Sequence, residues 1–309
     1  MCVCKDLAII IVNYKNYQCT INCVNRLILF CHDYKIVIVD NHSENMSYEH
    51  IKEEFTNSKN IFVIESDANR GYASGNNIGI KFILNEFNSL KYICIMNPDV
   101  IIDYANLFSN LILKIENRDE ISGITAISLT NNKLDYKAIG WKLPKVLNLM
   151  NINLVILAKL FNTVSYKSFS LDNHDRSLGS IDVMPGSFFI IKKLPFEEIS
   201  FFDEKTFLYY EENILASKIK KLNKKFVVSI NDYYIHNHLV KDIDFMNYKY
   251  ASNDYRNTIK SQKYYVLNYL NKSYLIWLFV AITGYIHLYL EIPIIIIIKT
   301  IFKNAKKIL

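Results

Sequence analysis

Glycine is scarce in this chain, 8 among 309 residues. Neither GxGxxG nor GxxxxGK[ST] occurs, which disfavours a dinucleotide-binding or P-loop NTPase site. Cysteine is as thin: Cys2, Cys4, Cys19, Cys23, Cys31 and Cys94, with no CxxC followed by a second CxxC downstream. A closed zinc site needs four well-spaced ligands, so these read as ordinary reduced thiols in a reducing cytoplasm. Charge is modest too, 21% of residues and +6 net. The lysines near the C-terminus come with no nucleic-acid motif, so nucleic acid is not an expected partner. The first apolar run after Lys5 and Asp6 is too short for the core of a secretory leader, and none is expected.

What the chain has is apolar sequence, 51% of it, enough for a sizeable core. Strands are expected at Leu7–Val12, Ile36–Val39, Ile61–Ile64 and Ile93–Met96, with helical spacing between them through Ile21, Val24, Leu27 and Ile28 and again from Met46 to Phe55. Strands alternating with helices at this spacing predict βαβ units and a mostly parallel sheet. Polar residues follow each strand on one common edge: Asn13 and Tyr14, Asp40 and Asn41, Asp67, and Asn97-Pro98-Asp99. In open α/β sheets ligands bind at that edge. A carboxylate such as Asp40 there suits a base or ribose hydroxyl, or forms a turn at the strand end. Asp99 suits a hard divalent cation that holds a diphosphate, or caps a helix beginning near Tyr104.

Three of the glycines fall in Asn69–Gly79, NRGYASGNNIG, ahead of helical spacing through Ile80, Ile83 and Leu84. Glycine admits close backbone approach, and a helix N-terminus offers N–H groups to phosphate. Farther on, Tyr104–Ile115 reads as a helix and Ile121–Leu129 as a strand. Asn131–Ser180 has no clear repeat. Ile181–Lys192, IDVMPGSFFIIK, is a turn and a strand, and Val227–Ile230 is another strand.

Four motifs in order, IVIVDNHS, NRGYASGNN, ICIMNPDV and MPGSFFI with FFDEKTFLYYEEN, resemble the family 2 glycosyltransferases of GT-A fold. The nearest likeness is to bacterial rhamnosyl- and galactosyltransferase-like members that build surface polysaccharide such as O-antigen or capsule. The resemblance covers roughly Leu7 to His238. It implies a GT-A fold, a Rossmann-like mixed and mostly parallel sheet flanked by helices. Residues 1–240 would form the catalytic domain, with a nucleotide-sugar half (1–130) and an acceptor half (131–240). The first half would bind a nucleotide-diphospho-sugar through Asn13, Tyr14, Asp40, Asn41, Asn69, Arg70, Gly71, Gly75, Asn76 and Asn97. NPD looks like a variant of the metal-binding DxD motif with Asn97 for its first aspartate. Asp99 would then hold Mn2+ or Mg2+, joined by His236, with His238 as the alternative. Gly186, Ser187 and Trp141 would line the acceptor side, although for a lone tryptophan packing in the core is the more usual role. The catalytic carboxylate would be Glu212, where the family has aspartate, or its neighbour Glu211. The family's later aspartate is absent, replaced by Ile214.

An inverting transfer needs an acceptor hydroxyl deprotonated as it attacks the anomeric carbon, and a positioned carboxylate serves. The resemblance therefore implies a hexosyltransferase acting on a saccharide or lipid-linked saccharide. Two alternatives stand beside it. A sugar-nucleotidyltransferase would carry a glycine-rich basic loop after the first strand, and Asn13–Tyr17 has no glycine. A non-catalytic membrane-bound sugar-binding scaffold would tolerate the altered EENI segment.

Residues 241–309 read as a helical, membrane-associating segment. Phe245–Leu270 is a helix rich in tyrosine and lysine. Tyr274–Leu290 has no formal charge, Glu291 and Pro293 interrupt it, and Ile294–Ile298 and then Lys299, Lys303, Lys306 and Lys307 follow. Aromatics suit a membrane interface and lysines anionic lipid. A peripheral or monotopic place on the cytoplasmic face of a bacterial membrane is expected, with a buried hairpin or a homodimer contact as the soluble alternative.

Overall fold

The computed structural model describes residues 6–30, 34–135, 138–160, 170–172, 175–236 and 248–308. Cys2, Cys4, Cys31 and His238 lie outside the described residues. Two compact units are present: Met1–Leu143 with Lys167–Glu204 and Glu211–His238, and Pro144–Tyr166 with Lys205–Tyr210 and Leu239–Leu309.

The first unit begins with β1 (Leu7–Asn13), α1 (Tyr17–Phe30), β2 (Lys35–Asp40), α2 (Ser47–Glu54), β3 (Ile61–Glu65), α3 (Tyr72–Glu86) and β4 (Tyr92–Met96). These four strands pair parallel. The apolar runs expected as strands form them because each central strand is covered on both faces; β4 is buried throughout. One face packs on α1 through Leu27 and on Phe108 and Ile112 from later in the chain, the other on α3 through Ile80 and Ile83 and on Leu215.

The chain continues through β5 (Val100–Ile101), α4 (Leu107–Ile115), β6 (Ile121–Thr130) and β7 (Lys133–Leu134). The intervening α5 (Val146–Asn153) and α6 (Val155–Leu160) belong to the second unit. Then come β8 (Ser170–Leu171), β9 (Leu178–Ile181), β10 (Phe188–Lys192), α7 (Lys193–Glu198), α8 (Glu211–Lys221) and β11 (Lys225–His236). The sheet order is β3-β2-β1-β4-β10-β6-β11-β9-β8, with β5 on β11 and β7 on β6.

The first unit departs from expectation at two points. The helix expected from Tyr104 begins at Leu107 behind Asn106, so Asp99 does not cap it. The strand expected at Val227–Ile230 runs to His236, because a bulge passes four positions of β11, Ser229 to Tyr233, against one step of β6. An irregularity of that size turns the following side chains to the other face. Asp232 within it is buried and accepts from Ser229 and Asn110.

In the second unit α9 (Tyr248–Asn268), α10 (Tyr274–Ile286) and α11 (Ile292–Ile308) follow α5 and α6. Glu291 and Pro293 do not interrupt the apolar stretch, contrary to the sequence reading. A π-turn over His287–Glu291 joins α10 to α11. Glu291 is satisfied inside the unit by His287 Nδ1 at 2.6 Å and the Ile156 N–H at 2.9 Å. Buried Asn153 ties this unit together, bonding Gln262, Thr283 and Tyr255.

Candidate active site

The strand order reverses between β1 and β4, and such a switch point is where open α/β sheets take ligands. β1 ends in Asn13 and β2 in Asp40, paired in register. Asn13 Nδ2 donates to Asp40 Oδ1 at 2.6 Å, and Asn13 Oδ1 accepts from the Thr20 hydroxyl at 2.7 Å. Asp40 Oδ2 accepts the Ser43 N–H at 2.8 Å. Asn13 and Asp40 are thus fully buried organisers of the strand ends, while Tyr14 stands exposed beside them.

Asn41 ties β2 to the glycine-rich loop, its Nδ2 donating to Asn69 Oδ1 at 3.0 Å and to the Gly71 carbonyl at 3.2 Å. Asn69 Oδ1 also accepts the Gly71 N–H. Gly71, at φ 100°, opens α3 in a conformation that favours glycine. Gly79 serves packing instead, since a Cβ there would come within 2.7 Å of Ile10. Gly75 lies against Val12. Asn76 donates to the Tyr72 carbonyl. Oδ1 of Asn41 and Oδ1 of Asn76 are buried with no hydrogen-bond partner among the described residues. Arg70 turns out to Asp67 in an exposed ion pair.

Asn97-Pro98-Asp99 forms the turn from β4 into β5. Its shape is held from beneath. The Asn97 N–H donates to the Ser187 carbonyl at 2.8 Å, and the thiols of Cys19 and Cys23 donate to the Pro98 and Val100 carbonyls. Because β5 pairs His236 with Val100, the end of β11 comes beside the turn. His236 is 4% exposed, and its Nε2 lies 3.1 Å from Asp99 Oδ1. A carboxylate oxygen and an imidazole nitrogen so close are a donor pair that borderline divalent ions accept.

β10 runs antiparallel to β4, which sets Gly186 and Ser187 beside the same turn. The Ser187 hydroxyl bonds the Tyr234 hydroxyl at 3.0 Å. Glu211 and Glu212 open α8, where the helix dipole favours negative charge. The chain enters this helix through Tyr209 and Tyr210, at φ 71° and 72°, a strained approach for non-glycine residues. Glu211 is 3% exposed, and its Oε1 has no hydrogen-bond partner among the described residues. Glu212 is half-buried and accepts the Gly186 N–H. A Cβ at Gly186 would overlap the Glu212 carboxylate, so glycine is required there by space. Burial, then the Glu212 charge, pushes Glu211 up to about 8. Burial raises Glu212 as well, against its backbone hydrogen bonds. A carboxylate raised toward neutral pH is a better general base.

Trp141 pairs with Val183 across an isolated bridge and donates Nε1–H to Asn213 Oδ1 at 2.8 Å, one residue past Glu212. The residues expected in the site thus gather into a β1–β2–loop cluster, the Asp99–His236 pair, and Glu212 with Gly186. Arg70 and the Ser187 hydroxyl turn to other partners. Tyr72, Asn213 and Tyr234 were missed by sequence reasoning. Tyr72 sat inside a quoted motif, while nothing local marks Tyr234.

Residues 8–199 match the family model described as glycosyl transferase family 2. Over 222 residues the chain is 28% identical to the low-salt glycan biosynthesis hexosyltransferase Agl10 of Haloferax volcanii, covering 71% of this chain and 62% of that protein. The chain therefore matches less than two thirds of that relative's length. The fold is similar to mannosyltransferase PcManGT from Pyrobaculum calidifontis, solved with GDP-Man and Mn2+, at TM-score 0.56 and 9% identity over 97% of this chain and 74% of that one. It is also similar to GalNAc-T7 with UDP, GalNAc and Mn2+, at TM-score 0.57 and 12% identity over 85% and 50%. A third likeness is to S. aureus TarS with UDP-GlcNAc, at 0.52 and 13% over 85% and 67%. At these identities the structural likeness is one of fold, a GT-A-type mixed α/β sheet with flanking helices.

Proposed function

The chain belongs to glycosyl transferase family 2, and from that premise we propose that it is an inverting hexosyltransferase using a nucleotide-diphospho-sugar. The observation that carries this is Glu212, held against Gly186 at the edge of the sheet. In this reading Glu212 takes the proton of an acceptor hydroxyl. The oxygen attacks the anomeric carbon, the bond to the diphosphate breaks, and the anomeric configuration inverts. The buried side-chain amide oxygens of Asn41, just past β2, and of Asn76, in the first turns of α3, flank the loop that would face the donor, with Tyr14 beside the nucleotide. Asn13 and Asp40 would act by ordering that wall. Family membership leaves no room for the nucleotidyltransferase alternative.

A divalent cation fits Asp99 and His236, the oxygen and nitrogen donors 3.1 Å apart. Among the described residues no group of three or more His, Cys, Asp or Glu gathers to hold a metal, so diphosphate oxygens and water would complete the coordination. Such a cation supplies charge neutralisation of the leaving diphosphate. Two solved neighbours hold Mn2+, which supports the choice of metal.

We place the acceptor, a saccharide or lipid-linked saccharide of surface polysaccharide assembly, on the side of Trp141. The C-terminal unit would attach the protein to the cytoplasmic face of the membrane. Among the described residues one helical stretch, Tyr274–Ile301, is long and apolar enough to cross a membrane. It exposes Leu278, Ile282, Leu290, Ile297 and Ile301 and buries Trp277, Val280, His287 and Glu291 within its unit. A helix with one apolar face outward and a polar pair inward suits lying in the interface. The test is release of nucleoside diphosphate from a panel of UDP-, GDP- and dTDP-hexoses with Mn2+, by the full chain in bacterial lipid. Turnover with one donor supports the reading, and none with any donor favours the non-catalytic scaffold.

A further inference from the structure

The glycine-rich loop and the acceptor-side turn come from distant parts of the sequence, yet one hydroxyl joins them. Tyr72, the first residue of α3, donates its O–H to the Gly186 carbonyl at 2.6 Å. The same Gly186 gives its N–H to the Glu212 carboxylate and has no room for a side chain beside it. Gly186 is thus held at both ends, one by the phenol and the other by the glutamate. The Tyr72 ring is itself fixed, packed edge-on against Phe202 with centroids 6.3 Å apart. Phe202 is locked by a two-way bond to Asn77, whose Oδ1 takes the Phe202 N–H and whose Nδ2 gives to the Phe202 carbonyl. Asn77 lies on α3 as well.

We propose that Tyr72 is a positioning residue: it pins the Gly186 backbone from the donor side and thereby holds Glu212 in the orientation for proton abstraction. The inference rests on the reading of Glu212 as the base. Burial, and then the neighbouring Glu212 charge, raise the phenol well above its ordinary range, so it stays a hydrogen-bond donor at working pH. The contact also gives the donor loop and the base a common mechanical support. The Asn41–Asn69–Gly71 bonds set where α3 starts, and α3 carries Tyr72.

The experiment is a double-mutant cycle on the full chain with Tyr72→Phe and Glu212→Gln, singly and together. UDP-N-acetylglucosamine and GDP-mannose with Mn2+ are the probes, and kcat, KM and nucleoside diphosphate affinity are the readouts. Tyr72→Phe removes the hydroxyl and keeps the ring. It is expected to lower kcat about 10- to 100-fold, with KM and diphosphate affinity within about twofold of the parent. In the Glu212→Gln background it should cost less than about twofold, because a group that acts only through another has nothing left to position. Gly186→Ala, which displaces the same carboxylate directly, should show the same split. An unchanged kcat in Tyr72→Phe with Glu212→Gln inactive overturns the positioning role and leaves the base standing. Equal losses in both backgrounds, or a Tyr72→Phe chain that melts far below the parent, assign the phenol to general stability and also overturn it. Full turnover by Glu212→Gln instead removes the base itself.

Discussion

Replacing Glu211 with glutamine should make the protein more stable at alkaline pH and hardly change it at acid pH. Glu211 is buried to 3% exposure, and its neighbour Glu212 adds like charge. The folded chain therefore holds a proton on this side chain that the unfolded chain releases: its pKa is about 8 in the fold against the ordinary 4.5. Between those limits the native state binds more protons than the unfolded state, so stability is complete below about 4.5 and is lost as pH rises through about 8. The slope is at most about 1.4 kcal/mol per pH unit, and the whole effect is on the order of 3–5 kcal/mol, shared with the adjacent Glu212. Glutamine has nearly the shape of the protonated acid and cannot ionise. Thermal midpoints of parent and Glu211→Gln, followed by near-UV circular dichroism from pH 5 to pH 8.5, measure it. The parent midpoint should fall steadily over that range and that of Glu211→Gln much less, the two curves meeting near pH 5. A flat parent curve, or a glutamine variant less stable than the parent at pH 8, would refute the reasoning.

Other outcomes follow from the same geometry. Asp99→Ala should weaken Mn2+-dependent binding of nucleoside diphosphate about tenfold or more, read by calorimetry with and without metal; unchanged metal dependence would remove Asp99 from the cation site. Gly79→Ala sets a methyl within 2.7 Å of Ile10 and should cost about 1–3 kcal/mol by overpacking, seen in the urea midpoint with donor affinity retained. Ile282→Glu with Ile297→Glu, both on the exposed face, should reduce sedimentation with anionic vesicles at least tenfold and leave diphosphate binding intact. Undiminished vesicle binding would count against that face as the lipid contact.

Much of the sheet was legible because β1, β2 and β4 are buried runs with nothing polar until their ends. Those ends, Asn13, Asp40 and Asn97, are therefore also where the switch point lies. The strand of His236 was read too short because the bulge from Ser229 to Tyr233 breaks the alternation that marks a strand. Glu291 and Pro293 looked like a break because the sequence does not reveal that His287 and the Ile156 N–H satisfy the glutamate across a π-turn. Tyr72 resembled one more aromatic in a tyrosine-rich chain, since its meaning lies in Gly186, far away in sequence. The two glutamates were indistinguishable as letters. Contacts separate them: Glu211 is enclosed with an oxygen that has no hydrogen-bond partner among the described residues, and Glu212 is partly buried and held by the Gly186 backbone.

The central claim is that Glu212 is the base of a sugar transfer, and single-turnover kinetics of Glu212→Gln beside Glu211→Gln test it most directly. The Glu212 variant should bind the nucleotide-sugar as the parent does and transfer it about 10²–10⁴ times more slowly, while Glu211→Gln keeps most of its turnover. Full transfer by Glu212→Gln, or a dead Glu211→Gln beside an active Glu212→Gln, would contradict the account.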